Sequence, residues 1–378
     1  MLNPQTATQI AAGRKQLREC IQKVATGPEY SKDLSLDEAQ AAMAHILSGQ
    51  ADEVQAGVFL IALRMKRESI DENKGILKAI LEATHQGVAA VDEVFDIGDP
   101  YDGFTRGVPV ASFLPVVLAS LGIPAVCHGV EAMGPKYGVT HKMVLRAAGI
   151  PVDLSVPEAL QRVNDPEFGW AYVDQSRLCP GLYALMDLRT RIVKRPCLTT
   201  VEVLLGPIRG RQKTHLMTGY VHKAYPPVYA ELARFAGFNS ALMVRGVEGG
   251  VIPSLQQEAK IYRYQDFGPE ESQAIDPKNL GIMQAQRAVP LPQEVTRLKA
   301  KMDTISSDFD CAGVATYAAR MGQEALAGQP GPVYDALVYG ASLCLTHLNK
   351  YSTLAAASQV VRQVLDSGQV YTRFRAFQ

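Results

Sequence analysis

The chain has 378 residues, 47% hydrophobic and 20% charged, a composition that is typical of folded globular proteins and excludes disordered and fibrous classes. Lysine and arginine together number 38, as do aspartate and glutamate, so any attraction to a polyanion must come from a local patch. At this length two domains are more typical than one.

The cysteines and the apolar segments indicate where the protein resides. The six cysteines are scattered, without the cysteine and histidine spacings that bind zinc, and no signal-peptide pattern is present, so we expect a reduced, cytoplasmic protein. Residues 107–130 contain no charged side chain, but their prolines and glycines would break a membrane-spanning helix. We expect a buried helix followed by a buried strand there, and no contact with a membrane.

Helix caps and apolar spacing predict a helical N-terminal part. Ser35 is followed three positions later by Glu38, which is the pattern of a capping box at a helix start. Ser69 and Glu72 repeat the pattern. Gly49 is placed to end the first of these helices.

The helices of this region are unusually apolar. Residues 53–66 have apolar side chains at helical spacing on more than one face. Such helices need a partner surface, which is either a second domain or a second subunit. We predict a helical domain over residues 1–90, and in a homodimer this domain would form the interface together with helices around 178–206. The rest of the chain, 91–378, is predicted to form a second domain.

Beyond residue 94, short apolar runs with β-branched residues alternate with helical segments, a pattern typical of an α/β domain with a mainly parallel sheet. We predict strands at 94–98, 123–129, 214–222 and 240–246. We predict helices at 111–122, 141–149, 226–237, 331–348 and 354–365. Residues 366–378 are expected to form a tail. The predicted fold is therefore α/β, a small all-α domain followed by a larger α/β domain.

Three glycine-containing turns, at 98–107, 128–138 and 246–250, follow predicted strands, where ligands of parallel sheets bind. The first is ambiguous. Gly103 permits a left-handed backbone and Thr105 offers hydrogen-bond donors, as in phosphate-binding loops. However, carboxylates in the turn would repel a phosphate unless Mg²⁺ lay between. A tight turn with an aspartate cap is the alternative.

The other two turns contain further candidate ligands. In the second, His128 and Gly129 precede Lys136, which lies between two glycines and is a candidate phosphate contact. A solvated surface lysine is the alternative. In the third, Glu248 is flanked by glycines and is a candidate Mg²⁺ ligand, although one carboxylate is a thin basis for a metal site. No nucleophile with its base can be identified.

Two segments are strongly basic. Between residues 189 and 215 there is a single acidic residue, Glu202. The basic residues there are Arg189, Arg191, Lys194, Arg195, Arg209, Arg211 and Lys213. We expect Arg191, Lys194 and Arg195 to share one helix face. A second basic stripe, at helical spacing, is formed by Arg14, Lys15, Arg18 and Lys23.

Such segments have two interpretations. They are often solvated surfaces whose charges pair with acids from elsewhere in the fold. The alternative is a polyanion site, and the scarcity of nearby aromatic residues then favours contacts with a nucleic-acid backbone over base recognition.

The order of these features resembles that of the anthranilate phosphoribosyltransferase family, also called glycosyl transferase family 3, over nearly the whole chain. "ADEVQAGVFLIALRMKRESIDE" (51–72) is similar to the family's N-terminal helices. "DIGDPYDG" (96–103) lies where the family has a GTGGDG diphosphate loop, and "CHGVEAMGPKYG" (127–138) lies where it has KHGNR. The late helix "GQPGPVYDALVYGASLCL" (328–345) is also similar.

The resemblance implies the family's fold, a homodimer and a site for phosphoribosyl pyrophosphate (PRPP). The residues that it implies for the phosphate groups are Asp102, Gly103, Thr105, His128, Gly129 and Lys136. Mg²⁺ would lie near Glu248 if PRPP were bound, and no other cofactor is implied.

The chain departs from the family at that site. Pro100 and Tyr101 replace glycines, an apolar run from Val108 to Ala111 replaces a polar one, and only His128 remains with its glycine from KHGNR. Each lost charged hydrogen bond costs about 1.5–3 kcal/mol, so useful PRPP affinity is not expected. The YbiB-like paralogues, a branch associated with nucleic-acid binding, are more similar in "GRKQLREC", "LRTRIVKRP" and "GVEGGV".

We therefore predict a homodimer with a degenerate PRPP site that binds single-stranded nucleic acid or another polyanion along a basic groove. One alternative is an active phosphoribosyltransferase that uses PRPP and Mg²⁺ with an aromatic or nitrogenous acceptor. Another is a sensor of a different phosphorylated metabolite. The sequence leaves open whether the protein is an enzyme.

Overall fold

The computed structural model describes residues 4–27, 29–293 and 309–378. It begins with the helices α1 (Pro4–Val24), α2 (Leu36–Leu47), α3 (Glu53–Lys66) and α4 (Ile70–Glu82). Both predicted capping boxes are confirmed. At α2, for example, the Glu38 N–H donates to Ser35 Oγ at 3.2 Å, and the Ser35 N–H donates to the Glu38 carboxylate at 3.0 Å.

Strands and further helices alternate through the rest of the chain. The strands are β1 (Gly87–Val88), β2 (Glu93–Gly98), β3 (Ala125–Gly129), β4 (Trp170–Asp174), β5 (Ile208–Arg209), β6 (Lys213–Gly219), β7 (Ser240–Val244), β8 (Ala259–Tyr264) and β9 (Glu271–Ile275). The helices are α5 (Leu114–Ser120), α6 (His141–Ala147), α7 (Val156–Asn164), α8 (Gln175–Leu178), α9 (Pro180–Tyr183), α10 (Met186–Arg191), α11 (Leu198–Val201), α12 (Tyr225–Phe235), α13 (Cys311–Leu326), α14 (Pro332–His347), α15 (Leu354–Asp366) and α16 (Gln369–Ala376).

Over the described residues, the main sheet has seven strands in the order β4-β3-β2-β6-β7-β8-β9. Its first five strands are parallel, and β8 and β9 add an antiparallel edge. The predicted α/β fold with a mainly parallel sheet and a helical N-terminal part is confirmed. The sequence reasoning identified β2, β3, β6 and β7 but missed β4, β8 and β9.

The two faces of the sheet are covered by different helices. Along β2, Phe95 and Ile97 belong to one buried cluster, which includes residues of α5 and α13 to α16. Val94 belongs to a second cluster, which includes Leu60 of α3 and Ile80 of α4. Because successive side chains of a strand point to opposite faces, the N-terminal helices share one apolar core with the second face of the sheet.

The uncharged segment 107–130 lies within this core. It forms a short turn of 3₁₀-helix at Ala111–Phe113, then α5, then β3, and most of its residues are buried. Among the described helices, none combines the length and the apolar character that crossing a membrane requires.

Within the C-terminal residues 366–378, Gln369–Ala376 form the helix α16, so the prediction of a tail is wrong. Phe374 and Phe377, three positions apart, are buried and pack on Trp170 of β4, with ring centroids 5.9 and 4.5 Å from the indole. This aromatic contact fixes a segment that has too few apolar residues to be recognised as a buried helix from the sequence.

A row of buried polar side chains crosses the sheet near α14. Nδ1 of His215 on β6 lies 2.7 Å from Oγ of Ser240 on β7, and that oxygen lies 2.8 Å from Nε2 of His347 at the end of α14. Burial lowers the pKa of His215 to about 4 and that of His347 to about 3. Both imidazoles are therefore neutral in the fold at neutral pH.

We expect acid to destabilise the fold through this row. A histidine of the unfolded chain takes up a proton below about pH 6.5, whereas these two do not. Their stabilising contribution is full above that pH and is lost as the pH falls toward their folded pKa values, by about 2 kcal/mol per histidine at about pH 5. Urea unfolding of the wild type and of a His215→Gln/His347→Gln variant measures this. The variant should lose less stability between about pH 7 and about pH 5; an equal loss contradicts the assignment.

Candidate active-site cleft

The three glycine-containing turns meet at the carboxyl edge of the parallel strands. The turn after β2 pairs with the turn after β3, because the N–H groups of Phe104 and Val139 donate to each other's carbonyl oxygens at 3.0 and 2.9 Å. The Gly138 N–H donates to the Asp102 carbonyl at 2.9 Å. The side chain of Glu248, in the turn after β7, contacts both of them.

The Glu248 carboxylate accepts hydrogen bonds from all the donors that the turns place nearby. The Thr105 N–H lies 3.1 and 3.2 Å from its two oxygens, the Thr105 hydroxyl 3.3 Å from Oε2, and the Arg106 N–H 2.6 Å from Oε1. Lys136 Nζ lies 3.1 Å from Oε2. The structure thus brings together three predicted site residues, Thr105, Lys136 and Glu248, but as partners of one another.

Further ion pairs connect the Glu248 carboxylate to the side of the cleft. Lys136 Nζ lies 3.8 Å from Asp102 Oδ1, and Asp102 Oδ2 accepts both Nε of Arg195, at 2.8 Å, and its Nη2. We call Arg195, Asp102, Lys136 and Glu248 the ion-pair chain. Two cations and two carboxylates alternate along it, so this edge of the sheet is neutralised by the protein itself.

The residues of the ion-pair chain do not fit a Mg²⁺ ion. The side chains of Asp102 and Glu248 are only 4% and 5% exposed, and Lys136 lies within 4 Å of both. Each carboxylate therefore already has a cationic partner. Over the part of the chain that the structure describes, no three histidine, cysteine or acidic side chains lie close enough together to hold a metal.

Gly103 is required where the first two turns touch. Its φ is 72°, and a Cβ atom there would lie 2.5 Å from the carbonyl carbon of Gly138. Both the left-handed backbone and the close approach exclude a larger residue. The glycine predicted from the sequence is thus needed for the contact between the two turns.

His128 points away from the cleft. Its Nε2 lies 3.0 Å from Asp96 Oδ1, and its Nδ1 contacts the Tyr101 hydroxyl. Burial raises the pKa of Tyr101 well above its usual value, so the phenol keeps its proton. The structure corrects the expectation of a phosphate contact, because His128 is 2% exposed and Gly129, which ends β3, is buried as well.

A second histidine connects the turns. His141 Nε2 lies 2.7 Å from Asp99 Oδ2, and Asp99 Oδ1 accepts the Val251 N–H at 2.8 Å. Asp99 is therefore part of the scaffold that holds the first and third turns. The sequence offered no signal for this pairing, since the residues are far apart along the chain.

A cavity of about 270 Å³ lies beside the ion-pair chain. Its wall includes Arg64, Cys197, Tyr220, His222 and Tyr225, together with Asp102, Arg195 and Glu248. Burial raises the pKa values of the Cys197 thiol and the Tyr220 phenol, the latter to about 12. Neither side chain is therefore activated as a nucleophile or a base at neutral pH.

In the basic segment, the two most buried arginines do not form the predicted surface. Arg189 is 3% exposed, and its Nη1 and Nη2 donate to the Glu202 carboxylate at 2.6 and 2.9 Å. The Arg209 guanidinium stacks 4.3 Å above the Phe238 ring and donates to the Ala236 carbonyl at 2.9 Å. The structure therefore removes both arginines from the predicted polyanion surface.

Most of the other basic side chains of the segment pair with acids, and all but one of these acids are remote along the chain. The pairs are Arg191 with Glu53 and Asp187, Arg195 with Asp102, Arg211 with Asp92, and Lys213 with Asp266. Helix α10 ends at Arg191, and Val193 has a φ of 62°, so the prediction of one helix face is wrong. Lys194 is exposed. The excess of positive charge along the sequence is not an excess in space.

The stripe on α1 keeps its positive charge. Arg14, Lys15 and Arg18 are exposed and line one shallow surface groove. Lys15 lies 3.8 Å from Glu19, but Arg14 and Arg18 have no acidic partner within 4 Å among the described residues.

Comparison with known proteins gives two family matches. Residues 18–84 match the helical bundle domain of a glycosyl transferase family, and residues 105–371 match the α/β domain of a glycosyl transferase family. An uncharacterized protein of Aquifex aeolicus is 27% identical over 266 residues, covering 70% of this chain and 78% of its own. The anthranilate phosphoribosyltransferase of a Bradyrhizobium species is 26% identical over 360 residues, covering 95% and 97%.

Solved structures show the same fold. The anthranilate phosphoribosyltransferase of Thermus thermophilus superposes with a TM-score of 0.73 at 20% identity, covering 96% of this chain and 98% of its own. The enzyme of Saccharomyces cerevisiae, solved in complex with PRPP and Mg, gives 0.73 at 15% identity, covering 96% and 97%.

The burial of Arg189 leads to a test of its role. Arg189→Ala would leave the Glu202 carboxylate buried without its counter-charge, so we expect a loss of about 3–5 kcal/mol in the free energy of unfolding. Arg211→Ala, which breaks an exposed pair, is the matched control and should cost about 1 kcal/mol or less. Urea unfolding measures both. Equal stabilities of the two variants would contradict a structural role for Arg189.

Proposed function

The chain belongs to the glycosyl transferase family that these two domains define, and from that premise we propose that it is a member without phosphoribosyl transfer activity that binds single-stranded nucleic acid. The proposed lack of transfer activity rests on one observation: the Glu248 carboxylate accepts the hydrogen bonds of Thr105, Arg106 and Lys136. The second half is supported by the exposed stripe on α1.

Binding of PRPP would have to break the ion-pair chain. A diphosphate needs donors and PRPP carries a metal with it, but the Thr105 and Arg106 N–H groups already donate to a carboxylate, and Asp102 and Glu248 already have cationic partners. Each charged hydrogen bond that is broken costs about 1.5–3 kcal/mol. This cost opposes the alternative of an active phosphoribosyltransferase, which also needs an acceptor site next to the diphosphate.

The surface of α1 is suited to a phosphate backbone. Arg14 and Arg18 are one helical turn apart, exposed, and without acidic partners among the described residues, so they lose no ion pair when they bind phosphates.

An oligonucleotide titration tests the proposal. We expect a fluorescent single-stranded oligonucleotide to bind at low salt, with log K falling against log salt concentration. Arg14→Ala/Arg18→Ala should reduce that slope by about 1.4, because each phosphate contact contributes about 0.7. Arg320→Ala/Arg375→Ala removes the same charge from exposed positions on α13 and α16 and should leave the slope unchanged.

Two results would count against the proposal: no binding at low salt, or an equal loss in both double variants. Calorimetry with PRPP and Mg²⁺ tests the other half, for which we expect no binding. Micromolar binding would favour the active phosphoribosyltransferase.

We also propose that the protein is a homodimer whose interface centres on α3. Val54 and Met65 of this helix are 74% and 76% exposed, and with Val58, Leu188 and Ile192 they border an apolar groove of about 680 Å³. The rim of the groove holds a carboxylate, that of Glu53, and a guanidinium, that of Arg191. A surface with both charges around an apolar centre is suited to pair with a second copy of itself about a two-fold axis.

Charge inserted in this groove should separate the subunits. Met65→Glu would place an unpaired carboxylate in the apolar contact, so we expect a monomer where the wild type is a dimer in light scattering after size-exclusion chromatography. Met283→Glu is the control, since Met283 is 77% exposed and does not border the groove. A monomeric wild type, or a Met65→Glu dimer as stable as the control, would overturn the assignment.

A further inference from the structure

The side chain of Glu248 has the surroundings of a bound ligand. Two consecutive backbone N–H groups, one hydroxyl and one ammonium donate to its carboxylate, from Thr105, Arg106 and Lys136. Such converging donors are the set that binds the oxygen atoms of a phosphate group. The donors come from the turns after β2 and β3, whereas the acceptor comes from the turn after β7. The turns therefore form an anion-binding position, and a residue of the same chain fills it.

The backbone of Glu248 indicates that the carboxylate contacts hold this turn in place. Its φ and ψ are 57° and 16°, in the left-handed region, which costs a residue with a side chain about 1–2 kcal/mol. The hydrogen bonds from the donors must offset the conformational free energy that the left-handed backbone of Glu248 costs. Without these hydrogen bonds, a different backbone conformation of the turn becomes more favourable.

Space for a displaced side chain lies next to it. The cavity of about 270 Å³ is bordered by Glu248, Gly249, Asp102 and Arg195. A carboxylate that leaves the donors of the turns can enter this cavity, where Arg195 offers a partly exposed guanidinium. The release of Glu248 therefore does not require exposing any other buried charge.

We propose that Glu248 is an intramolecular anion that occupies the phosphate-binding position formed by Thr105, Arg106 and Lys136 and thereby excludes external phosphate groups. The contact is autoinhibitory: an external anion binds only as far as it outcompetes an acceptor that is tethered at the site. The class of ligand is a phosphate or diphosphate group bound without a metal, because Lys136 supplies the positive charge beside the carboxylates. This inference does not rest on nucleic-acid binding at α1.

Removal of the carboxylate tests the inference. We expect Glu248→Ala to bind inorganic diphosphate, in calorimetry without divalent cations, at least about tenfold more tightly than the wild type. Glu68→Ala is the matched control, since Glu68 borders the same cavity and its removal changes the net charge equally, but it makes no contact with the donors of the turns. The control should bind diphosphate as weakly as the wild type. In a Lys136→Ala/Glu248→Ala variant the gain should disappear.

Several outcomes overturn the inference: equal diphosphate affinities of Glu248→Ala and Glu68→Ala, tight binding by the wild type, or a gain that survives the loss of Lys136. If Glu248→Ala does not fold, as judged by circular dichroism, Glu248→Gly gives the same test, because glycine adopts a left-handed backbone without strain. Failure here leaves the oligonucleotide titration unaffected, and failure of that titration leaves this result unaffected, so the two proposals are separable.

Discussion

The structure of the cleft depends on the hydrogen bonds that the Glu248 carboxylate accepts. Parallel strands bring three turns to one edge of the sheet, and the hydrogen bonds from Thr105, Arg106 and Lys136 to Glu248 join all three. Asp102 and Arg195 extend the contact to the segment that follows α10. The wall of the cavity therefore includes three members of the ion-pair chain, Asp102, Arg195 and Glu248.

This arrangement changes what the loss of a ligand site means. The substitutions in the first turn had indicated that phosphate donors were absent, yet the N–H groups of Thr105 and Arg106 are present and converge on one point. What differs is the acceptor. A protein can keep the architecture of an anion site and still not use it when its own carboxylate accepts the hydrogen bonds of the donors.

The fold was largely predictable, whereas the charge pairing was not. Capping boxes at Ser35 and Ser69 and the alternation of strands and helices are local patterns, and the structure follows them. The helix α16 was missed because its burial depends on a distant residue, Trp170. The basic segment was misjudged for the same reason: acids such as Asp92 and Asp266, remote along the chain, lie opposite its side chains in space. The positions of helices and strands along the chain depend on local sequence patterns. The charged groups around a side chain depend on which segments the topology of the fold brings together.

The core shared by the N-terminal helices and the sheet has a mechanical consequence. Family comparison divides the chain into a helical bundle and an α/β domain, but Leu60 and Ile80 of the first pack in the same cluster as Val126 and Val173 of the second. Two bodies joined in this way cannot hinge without exposing apolar surface to water, at a cost of about 25 cal/mol per Å². A change in the width of the cleft by rotation of the two bodies therefore carries this cost, whereas a rearrangement confined to one turn does not.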